Sequence, residues 1–217
     1  MGPQKRSRNG GFTLIELLMV MAIIATLAGL GMVGIPRMVR QANITACNAH
    51  LDAVYKSLVI YQMNNKYFPR ASGAQFVLAV WDSQIVDHTQ KDAEIFFCPS
   101  MNIGPDPDLG NVTPEMISYT GPDQVGSRKG LAPQDRNANE KVIVCDKVPA
   151  GNGDKEHLDS LPHAAKGICF LTLGGATDFI DSSLFGGSAG GQDEPYPIIG
   201  PESPVEKFQK LVVDEDN

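Results

Sequence analysis

The sequence has little of what a nucleic-acid-binding protein needs. Its 18 Lys and Arg are outnumbered by 25 Asp and Glu, and the formal net charge is −7. Three of the cations lie in the first eleven residues, which contain no acid, so the rest of the chain carries −10. Because nucleic-acid binding replaces phosphate counterions with Lys and Arg, we expect no nucleic-acid partner.

The chain also lacks the short motifs of common catalytic sites. It contains no G-x-S-x-G, P-loop or H-E-x-x-H sequence. Its four histidines stand at no catalytic or zinc-binding spacing; they are His50, His88, His157 and His163. The glycine run at residues 186–191 has no lysine and no strand–helix setting for a phosphate loop. We therefore expect no enzymatic activity.

Cysteine is scarce, at four residues: Cys47, Cys98, Cys145 and Cys169. None lies in a CxxC or CxxH, so metal-ligand spacing is absent and zinc is not expected. The even number suits one or two disulfides in an oxidising compartment, and small buried apolar side chains are the alternative. Cys98 and Cys145 each close an apolar strand-like run, which makes them the candidate disulfide pair.

What the sequence does contain is a long apolar run near its amino terminus. From Phe12 to Val33 only Thr13, Glu16 and Thr26 are polar. As a helix, this run would be about 33 Å long, enough to cross a hydrocarbon core of ~30 Å. The preceding cations favour a cytoplasmic amino terminus. A cleaved secretory signal fits less well, because its apolar core is only about 7–15 residues long.

One carboxylate, Glu16, lies in the opening turns of this run. A lone carboxylate at membrane depth costs roughly 2.5–3.5 kcal/mol on insertion scales. Glu16 is therefore expected to have a partner.

The basic leader, Gly11, Phe12 and the following TLIELL resemble the class III signal of type IV pilins and type II secretion pseudopilins. The resemblance implies that prepilin peptidase cleaves between Gly11 and Phe12 and methylates the new amine of Phe12. Cleavage there leaves the apolar helix on the mature chain. We expect Glu16 to pair with the Phe12 amine of a neighbouring subunit, since pairing offsets the cost of a buried charge.

Apolar residues recur at three- and four-residue steps beyond Pro36, which predicts that the helix continues to Asn64–Asn65. The predicted fold class is α+β, with a long amino-terminal helix packed on a small antiparallel sheet, as in pilins. The predicted segments are a leader (1–11), a transmembrane and polymerisation helix (12–35), its amphipathic continuation (36–69) and a periplasmic globular domain with short strands and long loops (70–217).

Within the globular domain, the pattern predicts a second helix over Ala74–Asp82. Short β-prone runs follow, bounded by Gly, Pro and Asp. The last two of these runs, residues 168–173 and 176–180, flank Gly174–Gly175 and predict a hairpin with a two-residue turn. The predicted strands are residues 95–97, 116–119, 141–145, 168–173 and 176–180.

The resemblance also suggests a calcium site, because type II major pseudopilins bind calcium in a carboxy-terminal loop. Calcium needs about six to eight oxygen ligands. The candidate sets are Asp178, Asp181 and Asp193, or Asp154, Glu156 and Asp159. Neither set has a defined loop spacing, so solvated acids are the alternative. No other cofactor is expected.

The sequence thus predicts a structural filament subunit with a single span in the cytoplasmic membrane. The resemblance implies a type II secretion-like pseudopilus that moves proteins across the envelope. The alternatives are a type IV pilus subunit for adhesion, motility or DNA uptake, and a monomeric membrane-anchored binding protein. The implied partners are copies of itself and related subunits, prepilin peptidase, an inner-membrane assembly platform and the lipid bilayer.

Overall fold

The computed structural model describes residues 12–101, 112–124, 131, 137–148, 163, 166–185, 199–201 and 203–211, with the side chains of residues 30–34 excepted. The contacts within the chain divide it into two units, Met1–Val39 and Arg40–Asn217.

Helix α1 (Leu14–Asn65) supplies all the regular structure described in the first unit, with Pro36 inside it. The predicted end of this helix is confirmed. Every described side chain of the first unit is exposed. Among the described residues, no helix combines the length and hydropathy that a membrane crossing requires. The transmembrane helix over 12–35 therefore stays a prediction.

The carboxy-terminal part of α1 buries one stripe of side chains in the second unit. The buried positions recur at three- and four-residue steps, as expected for an amphipathic helix; they are Ile44, Cys47, Leu51, Val54 and Leu58. Helix α2 (Ala74–Asp82) forms where it was predicted and buries Phe76, Val80 and Trp81, among others. Both helices contribute to one core cluster.

The predicted strand at 95–97 is wrong, because helical turns occupy this region. A short helix, α3 (Gln90–Ala93), is capped by Thr89, whose side chain accepts a hydrogen bond from the Asp92 N–H. A 3₁₀ turn (Glu94–Phe96) follows directly. The cap stabilises the first turn, so the chain enters the apolar run already helical. Only Phe97 adopts an extended conformation.

The sheet has four antiparallel strands in the order β1-β2-β3-β4. They are β1 (Tyr119–Thr120), β2 (Val142–Asp146), β3 (Gly167–Thr172) and β4 (Thr177–Asp181). The last three match the predicted runs to within one residue at each end, whereas β1 overlaps the run predicted at 116–119 only at Tyr119, because residues 116–118 are not in a strand. The α+β class, with an amino-terminal helix packed with a small antiparallel sheet, is confirmed.

Both faces of the sheet are covered. Val144, Cys169 and Leu171 belong to the core cluster that contains α1 and α2. Their strand neighbours Cys145 and Phe170 point to the other face, because successive side chains of a strand alternate. That second face packs against side chains from after the sheet, namely Phe185, Ile199, Phe208 and Leu211.

The β3–β4 hairpin is confirmed, but its turn is longer than the predicted two residues. The Gly175 N–H donates to the Thr172 carbonyl at 2.9 Å, and the Thr172 N–H donates to the Ala176 carbonyl at 2.8 Å. Gly175 has a φ of 89°. The loop is thus a three-residue connection whose last residue is left-handed, which favours glycine.

Candidate functional site

The amino-terminal end of α1 begins with a reciprocal pair formed by Thr13 and Glu16. The Thr13 backbone N–H and hydroxyl donate to Glu16 Oε2 at 2.8 and 2.9 Å. The Glu16 N–H lies 3.4 Å from the Thr13 hydroxyl oxygen that accepts from it. Thr13 directly precedes the first helical residue, so this is a capping box, which satisfies backbone donors that a helix start leaves free.

Glu16 therefore has a partner inside its own chain. The partner expected from the sequence was the amine of another subunit, and that pairing stays a prediction. Only Oε2 takes part in the capping box. A carboxylate has a second oxygen and further lone pairs, so the cap leaves Glu16 able to accept from a cation.

The other two predicted residues of the leader signal are Gly11 and Phe12, and the part of the chain that the structure describes begins between them. Gly11 is outside the described residues. Phe12 is the first described residue, and its side chain is 91% exposed. The apolar residues that follow are exposed as well, from Leu14 and Ile15 to Leu27. This apolar surface has the exposure that helix packing between subunits needs.

The predicted disulfide between Cys98 and Cys145 is wrong, because neither cysteine forms a disulfide. Cys98 belongs to the core cluster on the α1 side of the sheet, and Cys145 belongs to the cluster on the other side. Strand alternation is the reason, since Cys145 points away from the face that α1 covers. All four cysteines are buried, and none forms a disulfide.

The structure describes two of the calcium candidates, Asp178 and Asp181, and it does not bring these two together. Asp178 and Asp181 are three residues apart on β4, so strand alternation directs their side chains to opposite faces. Asp181 caps the following 3₁₀ turn by accepting from the Ser183 N–H at 2.9 Å. Asp193 lies outside the described residues, as do Asp154, Glu156 and Asp159.

Sequence reasoning missed a buried cluster of metal-type ligands in the second unit. Cys47 of α1, Cys98, Asp146 of β2 and His163 place one ligand atom each within 4.8 Å of one another. His163 Nε2 lies 3.6 Å from Cys98 Sγ and 3.6 Å from Asp146 Oδ2. Cys47 Sγ lies 3.4 Å from Asp146 Oδ1. We call these four residues the Cys2HisAsp cluster.

Polar groups surround this cluster at hydrogen-bond distance. The Tyr119 hydroxyl lies 3.3 Å from Cys47 Sγ, and the Ser100 hydroxyl lies 2.9 Å from Cys98 Sγ. The Cys169 N–H donates to Asp146 Oδ2 at 2.6 Å. These contacts fix the orientation of the two sulfur atoms and the carboxylate.

The protonation of the cluster follows from its burial and its contacts. Burial raises the pKa of the Cys47 thiol, and the contact with Cys47, together with burial, raises that of Cys98. Burial lowers the pKa of His163, but the contacts with Asp146 and Cys98 outweigh it and raise the pKa to about 9. His163 Nδ1 is buried and has no hydrogen-bond partner among the described residues.

The sequence carried no local signal for this cluster. The exclusion of zinc rested on the absence of CxxC and CxxH spacings, which detect sites built from one short loop. Here the four ligands come from four separate segments between residues 47 and 163. Only the tertiary structure brings the four residues together, and the absence of CxxC and CxxH spacings does not test for a site of this kind.

Comparison with known proteins identifies the amino-terminal segment. Residues 6–32 match the family model described as the prokaryotic N-terminal methylation motif. No curated protein and no solved structure matches the chain. The matched residues include Gly11, Phe12 and the Thr13–Glu16 capping box. The chain therefore carries, at residues 6–32, a prokaryotic N-terminal methylation motif of the kind that type IV pilins and pseudopilins use as their signal.

Proposed function

We propose that this protein is a structural subunit of a filament, processed by prepilin peptidase and anchored in the cytoplasmic membrane. The single observation that carries the proposal is the methylation motif at residues 6–32. In this proposal, cleavage between Gly11 and Phe12 removes the leader, and the new amine of Phe12 is methylated. The globular domain lies outside the cytoplasm, and the chain has no catalytic activity of its own.

The exposed apolar residues of α1 support assembly through this helix. Most described side chains between Phe12 and Leu27 are apolar, and all are exposed. In a membrane, lipid covers such a surface, and in a filament the helices of neighbouring subunits replace the lipid. Each Glu16 then meets the cationic amine of Phe12 on an adjoining subunit, which offsets the cost of burying either charge.

The proposed filament is a type II secretion-like pseudopilus, with an inner-membrane assembly platform and related subunits as partners. A type IV pilus subunit has the same amino terminus and is the alternative. Fibre length separates these two, because a pseudopilus spans the envelope and a pilus extends beyond the cell. A monomeric anchored binding protein is the third candidate, and it would form no fibre at all.

The test of processing is amino-terminal sequencing of the mature protein isolated from cells. We expect a chain that starts at Phe12 with a methylated amine, and a Gly11→Val variant that keeps its leader. A wild-type chain with an intact leader, or one that starts near residue 32, would overturn the proposal. The variant Gly10→Val is the matched control, because it changes the neighbouring glycine and leaves the scissile bond unchanged.

A further inference from the structure

We propose that the Cys2HisAsp cluster of Cys47, Cys98, Asp146 and His163 is a structural site for a divalent transition metal of the zinc class. The inference goes beyond the filament role and is independent of it. It rests on the convergence of four ligand atoms in the interior of the second unit.

Three distances within the cluster lie in the range of tetrahedral edges, two of them to different oxygens of Asp146. Zinc–sulfur bonds of about 2.3 Å and zinc–nitrogen or zinc–oxygen bonds of about 2.0–2.1 Å give tetrahedral edges of roughly 3.3–3.8 Å. The separations of His163 Nε2 from Cys98 Sγ and Asp146 Oδ2, and of Cys47 Sγ from Asp146 Oδ1, are 3.4–3.6 Å. The separation of any two ligand atoms is at most 4.8 Å. Small side-chain rotations bring separations of this size into the tetrahedral range.

The ligand types select the metal. Thiolate sulfur and imidazole nitrogen suit zinc, whereas calcium and magnesium take oxygen ligands almost exclusively. Two thiolates and one carboxylate neutralise the charge of a divalent ion and leave one excess negative charge. All four residues are buried, with Cys47, Cys98 and Asp146 fully buried and His163 3% exposed. A closed site of this kind is typical of structural rather than catalytic zinc.

The polar surroundings suit the metal-bound form of the ligands. A thiolate accepts hydrogen bonds. The Tyr119 hydroxyl lies beside Cys47 Sγ, and the Ser100 hydroxyl lies beside Cys98 Sγ. The Asp146 carboxylate is held at one oxygen by the Cys169 N–H, which leaves the other oxygen free to face Cys47. Partners that orient the ligands in this way commonly accompany protein metal sites.

A third sulfur, that of Cys169, lies beside the cluster. Its Sγ is 3.3 Å from His163 Nε2 and 3.9 Å from the Ile44 carbonyl. We assign it outside the ligand set, as a thiol that packs against the imidazole. The carboxylate of Asp146 is the fourth ligand, because its oxygens lie 3.4 Å from Cys47 Sγ and 3.6 Å from His163 Nε2, and the group of atoms within 4.8 Å of one another includes Asp146 and not Cys169.

The metal would join parts of the domain that are far apart in the sequence. Cys47 lies on α1, Cys98 follows the 3₁₀ turn, and Asp146 ends β2. Coordination therefore links the helix to the sheet from inside the core. Because an unfolded chain has no preformed site, the binding free energy of a structural metal adds to the stability of the fold.

The test uses the full chain, purified in detergent under reducing conditions from zinc-supplemented medium. Metal analysis is expected to give one zinc per chain. Replacement by Co²⁺ is expected to give a sulfur-to-cobalt charge-transfer band and the visible bands of tetrahedral cobalt. A chelator is expected to lower the melting temperature, and added Zn²⁺ to restore it.

Two variants and a matched control distinguish this site from adventitious binding. Cys98→Ser and His163→Gln are expected to lose the metal and the cobalt bands. Cys145→Ser removes another buried cysteine, in the other core cluster, and is expected to keep the metal and the cobalt bands. The wild-type cobalt spectrum decides the matter even if a ligand variant fails to fold.

Three results would overturn the proposal. The first is a wild-type chain that binds no zinc and gives no cobalt bands. The second is equal metal content in wild type and a folded Cys98→Ser variant, which would place the metal elsewhere. The third is a Cys47–Cys98 disulfide in the unreduced native protein, found by mass analysis, because a disulfide removes both thiolate ligands.

Discussion

Glu16 Oε2 accepts two hydrogen bonds from Thr13, one from its backbone N–H at 2.8 Å and one from its hydroxyl at 2.9 Å. The same carboxylate is the proposed partner of a neighbouring subunit's amine. The proposed assembly thus gives Glu16 a second role, that of a charge, beside its role as a helix cap. Substitutions at these two positions separate the roles.

Glu16→Gln is expected to abolish fibre assembly while the helix start stays intact. Glutamine also serves as the third residue of a capping box, but it carries no charge to pair with an amine. Thr13→Ala removes the cap, which lowers the stability of the helix by about 0.5–2 kcal/mol. It keeps the Glu16 charge, so this variant is expected to assemble. The measurement is the yield of sheared fibres and their appearance by electron microscopy.

Asp52→Asn is the matched control for loss of a negative charge from α1. Asp52 forms an exposed ion pair with Lys56 at 2.6 Å, four residues along the helix. Such a pair contributes little, so fibre yield should not change. Fibres formed by Glu16→Gln at the wild-type yield would contradict charge pairing between subunits.

Gly175→Ala is expected to destabilise the domain by about 1–3 kcal/mol. Gly175 has a φ of 89°, and a Cβ there would lie 2.5 Å from Tyr55 Cε1. The ring cannot move away freely, because the Tyr55 hydroxyl donates to the Leu173 carbonyl at 3.3 Å. Denaturant unfolding measures the loss.

The control for this substitution is Gly29→Ala, where a Cβ meets nothing within 4 Å. Gly29 lies in α1, and alanine is the better helix former by about 1 kcal/mol. The unfolding of the globular domain should therefore be unaffected. Equal losses in the two variants would show that the hairpin turn does not depend on its contact with Tyr55.

Phe208→Ala is expected to lower the free energy of unfolding by about 3–5 kcal/mol, as large core truncations do. The Phe208 ring is fully buried and lies 5.4 Å from the Phe170 ring, edge to face, and 5.5 Å from the Phe185 ring. Leu184→Ala is the control, since its side chain is 65% exposed and should change stability by no more than about 0.5 kcal/mol. A small loss for Phe208→Ala would mean that the second face of the sheet does not depend on this ring.

The elements that the sequence predicts well are those with a local signal. The stripe of α1 and the run of α2 follow the helical period, and the β3–β4 hairpin follows from two β-prone runs joined by glycines. The run at 95–97 has the composition of a strand, but the helical turn capped by Thr89 precedes it and decides its conformation. Composition alone cannot show this effect of the preceding residues.

The features that the sequence could not predict depend on distant segments. Nothing near Phe208 indicates that it covers Phe170, and nothing near Cys98 indicates that His163 lies beside it. The disulfide prediction failed for a related reason. It placed two cysteines on adjacent strands, but Cys98 is not on a strand, and Cys145 belongs to the cluster on the other side of the sheet.

The Cys2HisAsp cluster also has a consequence for the order in which the protein is made. Cys47 and His163 are separated by more than half of the chain's length, and the ligands emerge from the ribosome in the order 47, 98, 146 and 163. The central contacts of the domain must therefore wait for late-made residues, and non-local contacts of this kind form slowly. A nascent chain that has only reached β2 lacks His163 and cannot complete these contacts. Under the proposed function, the segment that follows the anchor would therefore cross the membrane before the domain folds.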